Sequence, residues 1–255
     1  MSEVLGLRDV AIRFGGVQAV AGVTRAVDAG DFVGLIGPNG AGKTTLIRII
    51  AGLLRPDRGK VILGGADVTS EPTSARVRAG LALTHQIVRP FRDMTVLDNV
   101  ILAAGIGYTS GPLRALLHVG RKAEAGRAAE ILASVGLAGT ERRLAGELPL
   151  GQLKRLELAR ALAVDPKVML LDEPLAGLNH TEASKQVETI AEVNRRGITV
   201  VLVEHNLEEV MRVCRRLIVL NNGEVIGDGD PREVMANPAV QDAYVGGEMV
   251  AHAEA

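Results

Sequence analysis

The sequence predicts an α/β fold: a mainly parallel β-sheet core with an antiparallel β portion at the N-terminus and a helical subdomain inserted in the middle. Three observations support this prediction. Four short apolar runs have the pattern of strands buried on both faces of a parallel sheet, and they cover residues 32–36, 81–83, 168–171 and 198–203. Helical patterns separate these runs, which is typical of βαβ units. Residues 95–163 contain only helix-like stretches.

The remaining elements follow in chain order. Alternating apolar residues predict two strands before the core. Near the C-terminus, the turn Asn221-Asn222-Gly223 between two apolar runs predicts a β-hairpin. The predicted elements outside the core are strands at 4–14, 17–28, 217–220 and 224–226, and helices at 95–104, 121–135 and 151–163, with a glycine-rich break at 105–112. We therefore expect a single domain, 1–255, with a core formed by 1–86 and 164–255 and an inserted helical subdomain at 87–163.

Composition excludes several classes of function. With 255 residues, 47% of them hydrophobic, the chain is long and apolar enough for a complete α/β core. A net charge of −1 and an aromatic fraction of 2% provide neither the basic surface nor the stacking platforms of a nucleic-acid-binding protein. The single cysteine, Cys214, excludes an intramolecular disulfide and a cysteine-rich metal site. No nucleic-acid partner is expected.

The sequence also predicts where the chain works. The N-terminus, Met1-Ser2-Glu3-Val4, lacks the basic and apolar regions of a signal peptide. No apolar run approaches the roughly 18–20 residues that a membrane-spanning helix needs. We therefore expect a cytoplasmic chain whose contact with a membrane is made through a partner.

The most specific motif is a glycine-rich segment that matches the phosphate-binding pattern G-x-x-x-x-G-K-[ST]. A predicted strand precedes it and an apolar-periodic segment follows it, which is the context that the motif requires. The glycines let successive backbone N–H groups point into one concavity, and the following helix adds the positive end of its dipole. Lys43 is expected to reach the β- and γ-phosphates of a nucleotide, and the Thr44 hydroxyl is expected to bind Mg²⁺. The predicted binding residues, hereafter the phosphate loop, are Gly37, Pro38, Asn39, Gly40, Ala41, Gly42, Lys43, Thr44 and Thr45.

Two carboxylates end a predicted strand elsewhere in the chain. Asp172 and Glu173 follow the apolar run 168–171, and ligand sites of parallel sheets gather at the carboxyl ends of strands. Asp172 is expected to hold Mg²⁺ through its water shell, and Glu173 is placed to activate an attacking water as general base. Two acids at a strand end would, by themselves, be solvated turn residues. The phosphate loop favours the functional interpretation.

A third segment identifies a family. Residues Leu148-Pro149-Leu150-Gly151-Gln152, here called the signature segment, resemble the Leu-Ser-Gly-Gly-Gln signature of ATP-binding cassette (ABC) proteins. The helix-like continuation to Leu162 resembles the same family, and the resemblance covers nearly the whole chain with the motifs in family order. It implies a P-loop NTPase core of the ABC type, ATP as nucleotide and a site closed by a second cassette. Gly151 and Gln152 are then expected to bind nucleotide held by that partner.

The resemblance also implies roles for single residues. Phe14 lies where the family places an aromatic residue against adenine. Gln86 lies at the family's Gln loop, which senses the γ-phosphate and contacts the transporter, and it is expected beside Thr44 and Asp172 at the Mg²⁺. His205 resembles the switch histidine that contacts the γ-phosphate, and Leu175–Asn179 resembles the D-loop. The expected catalytic residues are Glu173, His205, Lys43 and Gln86.

Three features resemble the ATP-binding subunits of branched-chain amino acid importers: the continuation of the signature at 156–160, the segment 176–179, and the ending 237–246. The glycine-rich insertion near 105–120 resembles the larger of the two paired ATPases in such systems. The resemblance implies polytopic permease subunits, a homo- or heterodimer of cassettes, an indirect solute-binding protein, and a position on the inner face of the cell membrane. Relatives of this architecture carry urea, amides or other small organic solutes, so the solute stays open.

The sequence departs from the family pattern at two positions. Pro149 replaces the signature Ser that faces the γ-phosphate on the partner cassette, and it offers neither a hydroxyl nor an N–H. Because proline suits the first turn of a helix, Pro149 is expected to start one. We expect a nucleotide-sandwiched dimer that is weakened on this side but not lost. Asn179 replaces the D-loop Asp, with no direction of effect that the sequence predicts.

Two other functions remain open at this point. One is a soluble ABC ATPase without a transport role, which would lack a membrane partner. The other is a nucleotide-binding regulatory module with weak hydrolysis, against which Glu173 and His205 argue.

Overall fold

The structure is a computed structural model that describes residues 2–84, 88–105 and 121–244. Two β-sheets organise it. The larger sheet has six strands in the order β10-β9-β3-β8-β7-β6, and the smaller has four in the order β2-β1-β4-β5. Strands β3 (Phe32–Ile36), β6 (Leu81–Thr84), β7 (Val168–Asp172), β8 (Thr199–Val203) and β9 (Arg216–Asn221) pair in parallel, and β10 (Glu224–Gly229) joins the edge antiparallel to β9.

The parallel core forms because its strands are apolar on both faces. Every residue of β3, β7 and β8 is buried, which helices on both sides of the sheet make possible. The four core runs expected from the sequence are confirmed, and the predicted C-terminal hairpin is confirmed by the pairing of Asn221 with Glu224. Its turn residues Asn222 and Gly223 both have positive φ angles, 47° and 81°, as a two-residue hairpin turn requires.

The smaller sheet is antiparallel and lies at the N-terminus, as predicted. Its strands are β1 (Glu3–Phe14), β2 (Val17–Asp28), β4 (Arg58–Leu63) and β5 (Ala66–Asp67). The sequence analysis missed β4 and β5. β4 carries a detectable signal, since Val61-Ile62-Leu63 is an apolar run as long as the one at 81–83. The two-residue β5 is exposed along its length and carries none.

The helices occupy the intervals between the strands. They are α1 (Lys43–Ile50), α2 (Thr73–Arg78), α3 (Val96–Gly105), α4 (Arg121–Ser134), α5 (Leu150–Ala163), α6 (His180–Arg195), α7 (Leu207–Val213) and α8 (Pro231–Met235). The predicted helices of the middle region correspond to α3, α4 and α5, which lie in sequence between β6 and β7. Most of the glycine-rich break falls outside the described residues. In the described part of the chain, no helix is both long and apolar enough to cross a membrane.

Two apolar clusters account for most of the interior. One lies between the parallel sheet and the helices α3 to α8, and the other lies between the antiparallel sheet, the parallel sheet and α1. The second cluster includes Leu46, Ile47 and Ile50 of α1. The helix that follows the phosphate loop is therefore fixed by apolar burial along its inner face.

A buried arginine closes the other end of α1. Arg76 of α2 is only 1% exposed. Its guanidinium donates to the carbonyls of Ile49 and Ile50 at 2.7 Å, to Thr69 O at 3.0 Å and to Glu71 O at 3.1 Å. The last four carbonyls of a helix have no partner within it. Ile49 O also accepts from the Gly52 N–H at 3.1 Å, whereas Ile50 O accepts from Arg76, so Arg76 completes the hydrogen bonding at this end of α1.

We expect Arg76→Met to lower the melting temperature by roughly 6–12 °C, because buried carbonyls left without a donor cost about 3 kcal/mol or more. Differential scanning fluorimetry of the purified chain measures this shift. The matched control is Arg78→Met on the same helix, where the side chain is exposed, and we expect it to move the melting temperature by less than about 2 °C. Equal shifts for the two variants would show that the carbonyls do not depend on Arg76.

Candidate active site

The phosphate loop connects β3 to α1 and takes its shape from left-handed glycines. Gly37, Gly40 and Gly42 have φ angles of 146°, 78° and 100°. At Gly42 a side chain would also collide with the backbone, because a Cβ there would lie 2.2 Å from Ala19 O. The loop is anchored from outside by the C-terminal hairpin, where the Gly223 N–H donates to Ala41 O at 3.0 Å. The glycines of the motif are thus required by backbone geometry.

Lys43 folds back over this loop. Its ammonium donates to Gly37 O at 2.7 Å and to Pro38 O at 2.9 Å. Only 6% of the residue is exposed, and burial lowers the pKa of the ammonium while the nearby charges of Glu173 and Asp172 raise it. The buried cation and the two acids therefore lie within electrostatic reach of one another.

A cleft of about 200 Å³ opens beside the loop, and it combines the loop with residues from two other strand ends. Its lining residues are Ala19, Asn39, Gly40, Ala41, Gly42, Lys43, Thr44, Thr45, Glu173 and His205. The backbone N–H groups of Gly40, Gly42 and Lys43 donate to no residue that the structure describes. Unpaired N–H groups at a helix N-terminus, next to an ammonium, form an anion-binding site. This arrangement fits the phosphates of a nucleotide.

Glu173 and His205 meet at the carboxyl ends of neighbouring strands. Glu173 directly follows β7 and His205 lies two residues beyond β8, strands that pair in parallel. His205 Nε2 lies 2.8 Å from Glu173 Oε1, which is hydrogen-bonding distance for a carboxylate accepting from an Nε2–H. Glu173 is half-buried and His205 is more exposed. The pair thus presents a carboxylate and an imidazole to the same cleft as Lys43.

Glu173 also has an unusual backbone. Its φ angle is 48°, in the left-handed region that non-glycine residues rarely adopt. Its N–H donates to Val203 O at 2.9 Å, which continues the hydrogen bonding of β7 to β8 by one residue. Asp172, the last residue of β7, remains in the strand and is 9% exposed. The two adjacent carboxylates therefore differ in backbone geometry and in burial.

The signature segment lies outside this cleft, since none of its residues is among the cleft lining. Pro149 was expected in the first helical turn. It instead occupies the N-cap of α5 with an extended ψ of 161°, and its carbonyl accepts from the N–H groups of Gln152 and Leu153, both at 3.0 Å. No side chain caps the helix. Gly151 is buried, whereas Leu150 is 42% exposed.

Asn179 is the N-cap of α6. Its side chain accepts from the Glu182 N–H at 3.0 Å, and the Glu182 carboxylate accepts from the Asn179 N–H at 3.3 Å. This reciprocal pair is a capping box. Because Asn and Asp are equally good N-caps, the Asn at this position preserves the start of α6. A Cβ added at Gly151 would lie 3.0 Å from Glu182 Oε1, so α6 begins against the signature segment.

Two further predicted residues lie elsewhere. Phe14 ends β1 and is 50% exposed, but it does not line the cleft beside the loop. Gln86 lies outside the described residues. The chain after it is held by α5, because the Arg89 N–H donates to Glu157 Oε1 at 3.1 Å and Arg160 Nη1 donates to Arg89 O at 3.0 Å.

Three residues close to the site were not predicted from the sequence. Lys154 of α5 and Glu204, the residue that follows β8, are both 5% exposed and lie behind Glu173. Near the C-terminus, burial raises the pKa of the Tyr244 hydroxyl to about 12, against a smaller lowering by the nearby backbone N–H of Gly37. Lys154 and Glu204 carry a detectable signal, since each is a charged residue within an apolar pattern. No local pattern indicates the contact of Tyr244.

Comparisons with known proteins identify the family of this chain. The ABC transporter family model matches residues 20–176. A second model, described as branched-chain amino acid ATP-binding cassette transporter, matches residues 224–250. The first match contains the phosphate loop, the signature segment and Glu173, and the second contains the C-terminal hairpin strand and Tyr244.

Curated relatives span nearly the same length as this chain. The high-affinity branched-chain amino acid transport ATP-binding protein LivG of Salmonella typhimurium is 37% identical over 249 residues, which is 95% of this chain and 98% of the relative. The corresponding protein BraF of Pseudomonas aeruginosa is 35% identical, with the same two coverages. A probable LivG of Methanocaldococcus jannaschii is 34% identical over 252 residues, covering 96% and 98% of the two chains.

Solved structures of ATP-binding cassettes share the fold. A cassette of an ABC transporter in its ADP conformation superposes with a TM-score of 0.85 at 33% identity, covering 96% of this chain and 100% of that one. A nucleotide-free cassette gives a TM-score of 0.83 at 33% identity, covering 95% and 99%. The predicted α/β core with its antiparallel N-terminal portion and helical insertion is therefore confirmed as an ABC-type fold. With the family model matching more than half of its length, this chain belongs to the ABC transporter family as an ATP-binding cassette.

Proposed function

We propose that this chain hydrolyses ATP in the cleft beside the phosphate loop and thereby powers an importer of branched-chain amino acids. The observation that carries the proposal is the Glu173–His205 pair, with 2.8 Å between the side chains, in the same cleft as the buried ammonium of Lys43. Water can attack a phosphoryl group when three groups are in place: a base, a polar group that contacts the γ-phosphate, and a fixed cation.

The residues have separate tasks in this reaction. Glu173 orients the attacking water and takes its proton. Lys43 and His205 bind the charge that develops on the γ-phosphoryl oxygens, and the unpaired N–H groups of Gly40 and Gly42 bind the bridging phosphates. Gln86 contacts the γ-phosphate from the segment before Arg89. Phe14, exposed at the end of β1, is the surface against which adenine packs.

The donor atoms near Lys43 fit Mg²⁺. Asp172 and Thr44 offer a carboxylate and a hydroxyl, which are the hard oxygen ligands that Mg²⁺ prefers, and Gln86 offers a third oxygen. In the described part of the chain, no three His, Cys, Asp or Glu side chains cluster as a metal site. The remaining ligands would be phosphate oxygens and water. When bound, Mg²⁺ neutralises negative charge on the phosphates.

The cleft of one chain provides half of the site. Gly151 and Gln152 do not line it, and the N-terminus of α5 carries the same partial positive charge that favours phosphate elsewhere. We infer that a second cassette, identical or a sister ATPase, brings its signature segment over the nucleotide bound here. ATP-driven closure of the two cassettes would then move the permease subunits. A dimeric cassette structure in a related transporter supports this inference, with a TM-score of 0.77 at 26% identity.

The solute and the location follow from the relatives. LivG and BraF are named as branched-chain amino acid transport proteins, and the second family model carries the same description. We propose leucine, isoleucine and valine as solutes, supplied by a separate solute-binding protein. The chain would lie on the inner face of the cell membrane, held there by its permease.

Transport assays test this proposal. The tagged chain should copurify from membranes with a polytopic permease, and the assembled complex in proteoliposomes should couple ATP hydrolysis to uptake of labelled leucine when the solute-binding protein is added. Uptake of urea or amides instead of leucine would contradict the solute class. A chain that hydrolyses ATP but copurifies with no membrane protein would be a soluble ATPase. A chain that binds nucleotide without turnover would be a regulatory module.

We expect Pro149→Ser to strengthen ATP-dependent dimerisation by roughly 5–10-fold, because a serine hydroxyl would add a hydrogen bond of about 1 kcal/mol or more to the nucleotide held by the partner. Analytical ultracentrifugation with ATP, in a Glu173→Gln background that prevents turnover, measures this change. Pro149→Ala is the control, since alanine supplies an N–H but no hydroxyl. An alanine variant that dimerises as strongly as the serine variant would assign the effect to the restored N–H.

A further inference from the structure

Two buried charges lie beneath the Glu173–His205 pair. Lys154 lies on α5, the helix that begins at the signature segment, and Glu204 is the residue that follows β8. Each is 5% exposed. Charged side chains are almost never buried to this extent unless they are paired or hydrogen-bonded, so their contacts define what they do.

Glu204 binds the backbone on both sides of the catalytic pair. Its Oε1 accepts from the Leu175 N–H at 2.7 Å, and its Oε2 accepts from the His205 N–H at 3.2 Å. Leu175 lies two residues after Glu173 in the chain. One carboxylate therefore fixes the main chain that carries the base and the main chain that carries the histidine.

Lys154 contacts the main chain of Glu173. Its ammonium donates to the backbone carbonyl of Glu173 at 3.2 Å. Burial lowers the pKa of Lys154, and of the acids around it Glu204 contributes the largest opposing charge, ahead of Glu173, Glu157 and Asp172. Burial likewise raises the pKa of Glu204. Both side chains are therefore buried beside Glu173, and each makes hydrogen bonds to the main chain around it.

Glu173 needs such support because of its backbone. A φ of 48° is strained for a glutamate, and strained residues persist only where the surroundings over-determine them. The Glu173 N–H is held by Val203 O and its carbonyl by Lys154. The peptide groups before and after the Cα of Glu173 are therefore both held by hydrogen bonds. The side chain places Oε1 2.8 Å from His205 Nε2.

We propose that Lys154 and Glu204 form a buried positioning pair that holds the main chains of Glu173 and His205 in the geometry for hydrolysis. The proposal rests on the function proposed above. Neither residue lines the cleft, so both act through Glu173 and His205 and not on the nucleotide. Because Lys154 belongs to α5, the pair also connects the helix of the signature segment to the hydrolytic residues of the same chain.

The test separates turnover from binding. We expect Lys154→Met and Glu204→Gln each to lower kcat for ATP by roughly 10–100-fold, because a displacement of about 1 Å at a reacting group has that effect. The KM for ATP and the affinity for a fluorescent ATP analogue should stay within about threefold, since the phosphate loop is untouched. Lys154→Arg, which keeps a buried cation and donor, should recover at least half of the lost activity on a logarithmic scale.

A double variant adds a second criterion. If the two residues act as a unit, Lys154→Met combined with Glu204→Gln should lower kcat by much less than the product of the single effects. Lys167→Met and Glu208→Gln are the matched controls, because both side chains are exposed, and kcat should stay within twofold. If Lys154→Met fails to fold, Glu204→Gln carries the test by itself.

The outcomes distinguish this proposal from the one on which it rests. A kcat within twofold for Lys154→Met or Glu204→Gln, while Glu173→Gln abolishes turnover, overturns the positioning pair and leaves the hydrolytic function intact. Parallel loss of ATP affinity and kcat also overturns it, because that result describes a general structural role. Unchanged turnover in Glu173→Gln would overturn the proposed function itself.

Discussion

Glu173→Gln is expected to lower kcat for ATP hydrolysis by roughly 10²–10⁴-fold, the contribution of a positioned general base. Glutamine keeps the shape of glutamate and can still contact His205 Nε2, which lies 2.8 Å from the carboxylate in the wild-type chain. It cannot take a proton from water. The affinity for ATP should therefore be unchanged, and the ATP-bound dimer should accumulate because turnover no longer dissolves it.

Phosphate release in the presence of saturating ATP and size-exclusion chromatography with and without ATP measure the two effects. Glu188→Gln on α6 is the matched control, since its carboxylate is exposed and pairs with Arg195 at 2.6 Å, away from the cleft. A variant at Glu173 that keeps a kcat within threefold of the wild type would contradict the assignment of this residue as base.

Lys43→Met is expected to raise the dissociation constant for ATP by roughly 10–100-fold, because a hydrogen bond to a charged group contributes about 1.5–3 kcal/mol. The loss has a second source in this chain. The Lys43 ammonium holds the carbonyls of Gly37 and Pro38 at 2.7 and 2.9 Å, so its removal loosens the strained loop itself. Hydrolysis should fall further than binding, since Lys43 also stabilises charge in the transition state.

Fluorescence titration with a labelled ATP analogue measures the binding effect. Lys60→Met is the control, because Lys60 is exposed on β4, where it pairs with Asp67 at 3.2 Å. Its dissociation constant should match that of the wild type. Near-normal affinity in Lys43→Met would show that the backbone N–H groups of the loop bind phosphate without the ammonium.

The phosphate loop could be predicted from local sequence, because all residues of the motif are adjacent in the chain. The glycines at 37, 40 and 42 take φ angles that only glycine adopts easily, and the apolar runs on either side form β3 and α1. The hairpin at Asn222 and Gly223 was equally predictable, since two residues set its geometry. The boundaries of the inserted helical subdomain remain a prediction, as do the catalytic roles of individual residues.

Long-range contacts could not be predicted from the sequence, because no residue spacing indicates them. Glu173 and His205 are 32 residues apart, and only the parallel pairing of β7 and β8 brings their side chains together. Pro149 looked like the first residue of a helix, but the extended backbone at its position makes it the N-cap. Arg76 caps α1 because the fold places α2 against the end of that helix, through contacts between residues 26 and 27 positions apart in the chain.

By itself, the sequence determined the phosphate loop and the acidic strand end, because each depends on residues that are adjacent in the chain, and the ABC-type fold followed from the resemblance of its motifs to that family. Only the tertiary structure decided how the catalytic pair is supported. Lys154 and Glu204 are charged residues in apolar patterns until the fold places Lys154 against the backbone that follows β7 and buries both side chains. Burial removes the water that would otherwise satisfy them, so each must bind the protein, and their hydrogen bonds include those to the backbones of Glu173, Leu175 and His205.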